Sequence, residues 1–185
     1  MRAVTTVIAL AGRRVDAADA PHPRFPSSRA DAVRQRLGAV LVEHAAVALV
    51  ASAACGVDLL GHEAAAPLGL RRIVVLPFAP ARFRELSVTD RPDGETRWGP
   101  AFDRLLREVP RADLRVLDLA EGSAAYDAAS VRILDEAEQL AASLGATTLA
   151  VVAWDGVATG PTDHTAAFAA EARRRGVRVE EVATR

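Results

Sequence analysis

Apolar positions along the chain follow two alternating patterns: short β-branched runs, and longer stretches with apolar residues three or four apart. The run Val4-Thr5-Thr6-Val7-Ile8-Ala9-Leu10, which ends at Gly12, predicts a first buried strand. Pro21, Pro23 and Pro26 make the next segment an irregular loop. Ser28, with Asp31 three positions on, resembles a capping box, and Val33, Leu37, Val40, Leu41 and His44 continue at helical spacing. Ala46 to Ser52 predicts a second strand, followed by a helix that opens after Cys55 and ends near Gly69. Ile73-Val74-Val75-Leu76, stopped by Pro77, is a third strand, and Pro80 to Leu86 is a short helix.

Val88 to Gly99 is the most polar stretch and reads as a loop, either a lid over a site or a plain connection. Pro100 to Val109 is helical, Leu114 to Leu119 a fourth strand, and Ser123 to Leu144 a long helix closed by Gly145. Thr147 to Trp154 is a fifth strand. Thr162 or Asp163 then caps a helix that runs through Arg175 and stops at Gly176, and Val177 to Val182 is the last strand.

Strands that alternate with helices imply a mostly parallel sheet covered on both faces. The expected fold is α/β: a single Rossmann-like, doubly wound domain over residues 1–185, with about six strands. Such sheets bind ligands beyond the carboxyl ends of their strands. Four segments should meet there: Gly12-Arg13-Arg14, Ser52 to Asp58, Pro77 to Arg84, and Trp154 to Thr165.

Composition narrows the function classes. Half of the 185 residues are hydrophobic and the net charge is −1, which argues against a general binder of nucleic acid or membrane surfaces. All 23 basic residues are arginine, so lysine chemistry is excluded, and arginine suits bidentate contacts to phosphate or carboxylate. The single cysteine, Cys55, forms no intrachain disulfide and fits a reducing cytoplasm. No apolar run approaches the ~20 residues of a membrane span. The first apolar segment does not read as a secretory signal.

The turn from Ala51 to Glu63 is rich in small residues, which lets a ligand approach the backbone, and the first helical turn presents free N–H groups to an anion. Ser52, Cys55, Gly56 and Asp58 are therefore ligand candidates. Asp58 either caps the helix or accepts a ribose hydroxyl; His62 lies on the same face. Cys55 is either a nucleophile or a small wall residue. In the second polar cluster, Thr162, Asp163, His164 and Thr165 combine capping groups with possible phosphate donors. Arg13, Arg14, Arg82 and Arg84 follow strands and could reach an anion, and Trp154 could stack on a base. The spacing of His62, Asp163 and His164 demands no metal, and no cofactor is expected.

Gly56-Val57-Asp58-Leu59-Leu60-Gly61-His62-Glu63-Ala64-Ala65 resembles the G-[IV]-D-x-x-[AG]-H-x-x-A turn and helix of the DNA-processing A proteins. These belong to the Smf/Lonely Guy-like (SLOG) superfamily. Trp154-Asp155-Gly156, then Gly160 and Thr165, resembles the last glycine–threonine loop of those domains. The resemblance implies a Rossmann-like pocket for nucleotides or nucleotide-derived ligands, with Gly156 and Gly160 on its last loop, while Gly12 and Pro77 are candidates from the strand-end loops that the fold brings to the same edge. Hydrolases of the group carry G-G-x-G-T-x-x-E, whose glutamate helps catalysis. Phe168 stands at that place here, and Pro161 follows Gly160.

The expectation is therefore binding or sensing of a nucleotide-derived small molecule, with nucleic acid disfavoured as a partner. One alternative is a phosphoribohydrolase using Asp58, Asp163 or Glu171 as acid or base. Another is a non-catalytic interaction domain that forms a homodimer.

Overall fold

The computed structural model describes residues 5–185. Six strands, β1 (Thr6–Gly12), β2 (Ala46–Ala51), β3 (Arg71–Leu76), β4 (Leu114–Val116), β5 (Thr147–Trp154) and β6 (Arg178–Ala183), form one sheet in the order β4-β3-β2-β1-β5-β6. Every pairing between neighbouring strands is parallel. The helices are α1 (Ala30–Glu43), α2 (Val57–Ala65), α3 (Pro80–Ser87), α4 (Gly99–Glu108), α5 (Ser123–Leu144) and α6 (His164–Arg174). No helix among the described residues is long and apolar enough to cross a membrane.

Alternation along each strand builds two cores. Ile8, Leu10, Leu49 and Leu76 face α1, α2 and α4, where Val33, Leu37, Leu60 and Leu105 pack on them. Val7, Ala9, Val50, Val75 and Val152 face α5 and α6, meeting Ile133, Leu134 and Phe168. The α/β, Rossmann-like architecture expected from the alternation is thus observed. The chain winds outward from β1 to β4, then crosses under the sheet through α5 to reach β5 on the other side of β1. This reversal leaves a crevice outside the carboxyl ends of β1 and β5.

Several local expectations change. Val4 lies outside the described residues, so β1 begins at Thr6, while its end at Gly12, paired with Ala153, is where the run was expected to stop. The Ser28–Asp31 capping box does not form. A 3₁₀ turn at Ser27–Arg29 leads into α1 without a side-chain cap, and Asp31 pairs instead with Arg97 at 3.2 Å. β4 ends at Val116 because Asp118 turns to φ +54°, although Leu117 and Leu119 N–H groups still reach the carbonyls of Leu76 and Pro77.

The polar stretch 88–99 is no free lid. Val88 and Trp98 are fully buried, and Gly94–Trp98 forms one wide turn of π type leading into α4. Gly94 lies so close to Thr89 that a Cβ would be 2.3 Å from its carbonyl oxygen.

Candidate functional site

The crevice at the switch point encloses about 730 Å³. Its floor is the end of β1 (Leu10 to Gly12) with Ser52, Ala54 and Asp58. One wall is the loop after β1, from Arg13 to Arg24; the other is formed by Tyr126, Ser130 and Ile133 of α5 with Thr159 and Thr162 to Thr165. Phe83, Ser87 and Arg91 close the far end. The volume lies within the range of small-molecule sites.

Gly12 is required by packing at the floor. A Cβ there would sit 2.5 Å from both Ala153 O and Val57 Cγ1, so glycine lets β1 pass beneath the start of α2. Gly56, at φ +110°, turns the chain from β2 into α2. Its position against the Arg13 carbonyl is equally closed to a side chain. Asp58 on the first turn of α2 accepts a hydrogen bond from Ala54 N at 3.2 Å and also lines the crevice. Burial pushes its carboxyl up to about 7, against the lowering pull of the Ala54 N–H and Arg14.

Asp163 shows the opposite environment. It caps α6 by accepting from Ala166 N at 3.0 Å, and accepts from Thr159 N and Oγ1 at 2.7 and 3.0 Å. Burial pushes its carboxyl up, but the Ala166 and Thr159 N–H groups and Arg13 outweigh that and bring it down to about 2. His164 receives orientation from Asp127, 2.8 Å from Nδ1, and its ring lies 5.5 Å from that of Tyr126. Tyr126 Oη is bonded in turn to Ser87 Oγ at 2.8 Å.

The arginines are held to different degrees. Arg13 Nη1 pairs with Asp163 at 2.8 Å, Nη2 donates to Val157 O at 2.6 Å, and the guanidinium lies over Trp154, while its buried Nε, 3.5 Å from Asp155, makes no hydrogen bond. Arg24 is bonded to Asp155 and the Val157 carbonyl. Arg14 pairs with Asp90 and touches Cys55 Sγ at 3.5 Å, yet its buried Nε has no acceptor. Arg91 Nε, buried, stands 3.9 Å from Asp90 Oδ2, beyond hydrogen-bond reach, and has no other acceptor.

Of the residues singled out in the sequence, Gly12, Arg13, Ser52, Asp58, Thr162, His164 and Thr165 line the crevice, as do Arg14 and Asp163. Others lie outside its lining. Cys55 is fully buried beneath the turn, and burial pushes its thiol up, which suits a wall residue rather than a nucleophile. Pro77 is buried and receives Leu119 N–H. Arg82 is bound on the surface to Glu85 and Glu121, and Arg84 to Glu95 and Asp103. Trp154 Nε1 donates to Glu181 at 2.9 Å.

Gly156 and Gly160 are exposed turn residues with positive φ. Glu171 faces away on α6, where Arg174 and Arg175 hold its carboxyl down to about 2, the wrong direction for an acid near neutral pH. Phe168 is fully buried in the second core.

Sequence reasoning missed Tyr126, Ser130 and Ile133, because only the passage of α5 across the sheet brings them to this edge. It also missed Arg91 and the loop around Asp16. There the carboxylate accepts the N–H groups of Arg24 and Phe25 and folds the proline-rich segment over the crevice. No protein-family model matches the chain, and no curated protein matches it.

Proposed function

We propose that the crevice binds a small anionic molecule derived from a nucleotide, as a binding or sensing domain of the cytoplasm. One observation carries this reading: the Nε–H groups of Arg13, Arg14 and Arg91 are buried at a roomy crevice and make no hydrogen bond within the protein. A buried donor left unpaired costs about 1–3 kcal/mol, which an anionic oxygen would recover. The hydroxyls of Ser52, Tyr126, Ser130 and Thr165 offer partners for a sugar, and Phe83 and Ile133 an apolar surface for a flat ring. The nucleotide class rests on the resemblance of residues 56–65 to the Smf/Lonely Guy-like domains.

Asp58 favours a second reading. A carboxyl held at about 7 can act as an acid near neutral pH. In a hydrolase of nucleotide N-glycosidic bonds, Asp58 would protonate the departing base while water adds to the sugar carbon. A panel of nucleoside monophosphates, NAD and cyclic nucleotides separates the two. Binding predicts a ligand-dependent rise in Tm with no product, and hydrolysis predicts free base at a rate proportional to protein. No shift with any member would overturn both and favour the homodimeric interaction domain, which sedimentation would detect.

A further inference from the structure

The loop after β1 sends its two arginines to opposite ends of the crevice. Arg13 turns toward β5 and α6, where it meets Asp155 and Asp163. Arg14 turns toward β2 and α3, where it meets Cys55 and Asp90. Cys55 N donates to Ser87 O at 2.9 Å, which ties that turn to the end of α3. Tyr126 spans the space between, with Oη 2.8 Å from Ser87 Oγ at the α3 end and its ring 5.5 Å from that of His164 at the α6 end.

The α6 end is already filled by a carboxylate. A helix N-terminus attracts anions through its free N–H groups. Here Asp163 takes those donors itself: Oδ1 accepts from Ala166 N, and Oδ2 from Thr159 N, Thr159 Oγ1 and Arg13 Nη1. Asp163 is ionised at neutral pH and its side chain is 1% exposed. Arg13 spends Nη2 on Val157 O and keeps Nε 3.5 Å from Asp155. An oxyanion placed at this end would meet a like charge whose donors are in use. The hydroxyls of Thr162 and Thr165 line the same wall and suit an uncharged hydroxyl of a ligand.

The α3 end has cations to spare. Arg14 Nη2 is bonded to Asp90 and touches Cys55 Sγ, and its Nη1 has no partner among the described residues. Arg91 makes no hydrogen bond among them, its acid neighbour being Asp90 at 3.9 Å. One carboxylate thus faces two guanidinium groups. Both arginine side chains line the crevice and are partly exposed, 29% and 31%, so a ligand can reach their Nη groups. Two forked guanidinium groups beside a single acid match the charge and lone pairs of a terminal phosphate. We propose that the oxyanion seat of the crevice is the Arg14–Arg91 pair and that the α6 end holds an uncharged, hydroxylated part of the ligand. The ligand is then charged at its α3 end only. This polarity rests on the reading of the crevice as a ligand site, but not on the ligand being a nucleotide.

Inorganic phosphate tests the seat without presuming the rest of the ligand. A titration at pH 7 and constant ionic strength is followed in proton–nitrogen NMR spectra, through the arginine Nε–H signals and the backbone amides. Saturable movement of the Arg14 and Arg91 Nε–H signals is expected, with the Thr165 and Ala166 amides unmoved. Arg91→Gln breaks no hydrogen bond, so it should fold normally, and it should weaken phosphate binding about tenfold. Movement of Thr165 and Ala166 without Arg91, absence of any saturable response, or unchanged affinity in Arg91→Gln would each overturn the proposal. A second arm compares AMP with adenosine by thermal shift. Arg91→Gln should remove most of the advantage of AMP; a loss falling equally on both compounds would overturn the proposed polarity and leave the nucleotide reading intact. A saturable phosphate response at Arg14 and Arg91, with no rise in Tm from either compound, would support the seat and count against the nucleotide reading alone.

Discussion

Arg13 Nη1 stands 2.8 Å from Asp163 Oδ2, with side-chain exposures of 12% and 1%, and this pair ties the loop after β1 to the cap of α6. The same guanidinium lies 3.5 Å from buried Asp155, so three segments around the crevice mouth depend on one cation. Breaking a buried pair from one side is costly, commonly about 3–5 kcal/mol. Asp163 would keep its bonds to Ala166 and Thr159, and Asp155 its contacts with Arg24 and Arg185, which reduces the loss. Arg13→Ala is expected to lower stability by about 2 kcal/mol in urea unfolding. A change below about 0.5 kcal/mol would show the pair to be a surface contact.

Gly12 in the crevice floor and Gly156 on the exposed turn beyond it should respond differently to alanine. Gly12→Ala forces a Cβ to 2.5 Å from Ala153 O and Val57 Cγ1, and both neighbours are backbone or short side chain in a packed layer. Its cost should be about 2–3 kcal/mol, with distortion of the crevice floor. Gly156 sits at φ +78° in open space, so Gly156→Ala carries only the backbone penalty of about 1 kcal/mol. Thermal unfolding of the two variants checks the order, and equal Tm values would contradict it.

The sheet was readable because its strands carry their own signal. Runs such as Ile73-Val74-Val75-Leu76 are buried on both faces and bounded by breakers, and Gly69 and Gly145 end their helices at φ +66° and +64°. The stretch 88–98 was not readable. Its polar side chains pair outward, Asp90 with Arg14 and Arg97 with Asp31, while Val88 and Trp98 turn inward with no aliphatic or aromatic residue between them to show a period. The site divided the same way. Turn chemistry marked Ser52, Asp58 and Thr165, but Arg13 and Arg82 find acidic partners 150 and 39 positions away, which no local pattern shows.

Phe168 shows why restoring the glutamate of the hydrolase loop would fail. The side chain is fully buried in the lower core, among Ala9, Ala150 and Ile133. Phe168→Glu would place a carboxylate in an apolar layer with no partner, at a cost of more than about 4 kcal/mol. Loss of the folded circular dichroism signal or a steep fall in Tm is expected, without gain of hydrolysis. A stable, active variant would mean that α6 can rotate this position toward the crevice.

Asp58 and His62, one turn apart on α2, should oppose each other in the pH dependence of stability. The Asp58 carboxyl is raised from 3.8 to about 7, so the folded state holds its proton more tightly than the unfolded chain. That contribution is fully present below about pH 4 and is lost as pH rises to about 7. His62 is lowered from 6.5 to about 4, so the unfolded chain takes up its proton first, and stability falls as pH drops from about 6.5 to 4. Over that interval the two slopes have opposite sign and largely cancel.

Asp58→Asn keeps an oxygen for the Ala54 N–H and removes the titration. Its stability should therefore climb between pH 4 and 6.5, exposing the slope of His62. At pH 8 it should exceed the parent by on the order of 1–2 kcal/mol, less than the full shift implies because the crevice admits water to Asp58. Denaturant unfolding at four pH values measures both effects. Parallel curves for parent and variant would mean that Asp58 is ionised in the folded protein throughout, which would also remove it as an acid in the crevice.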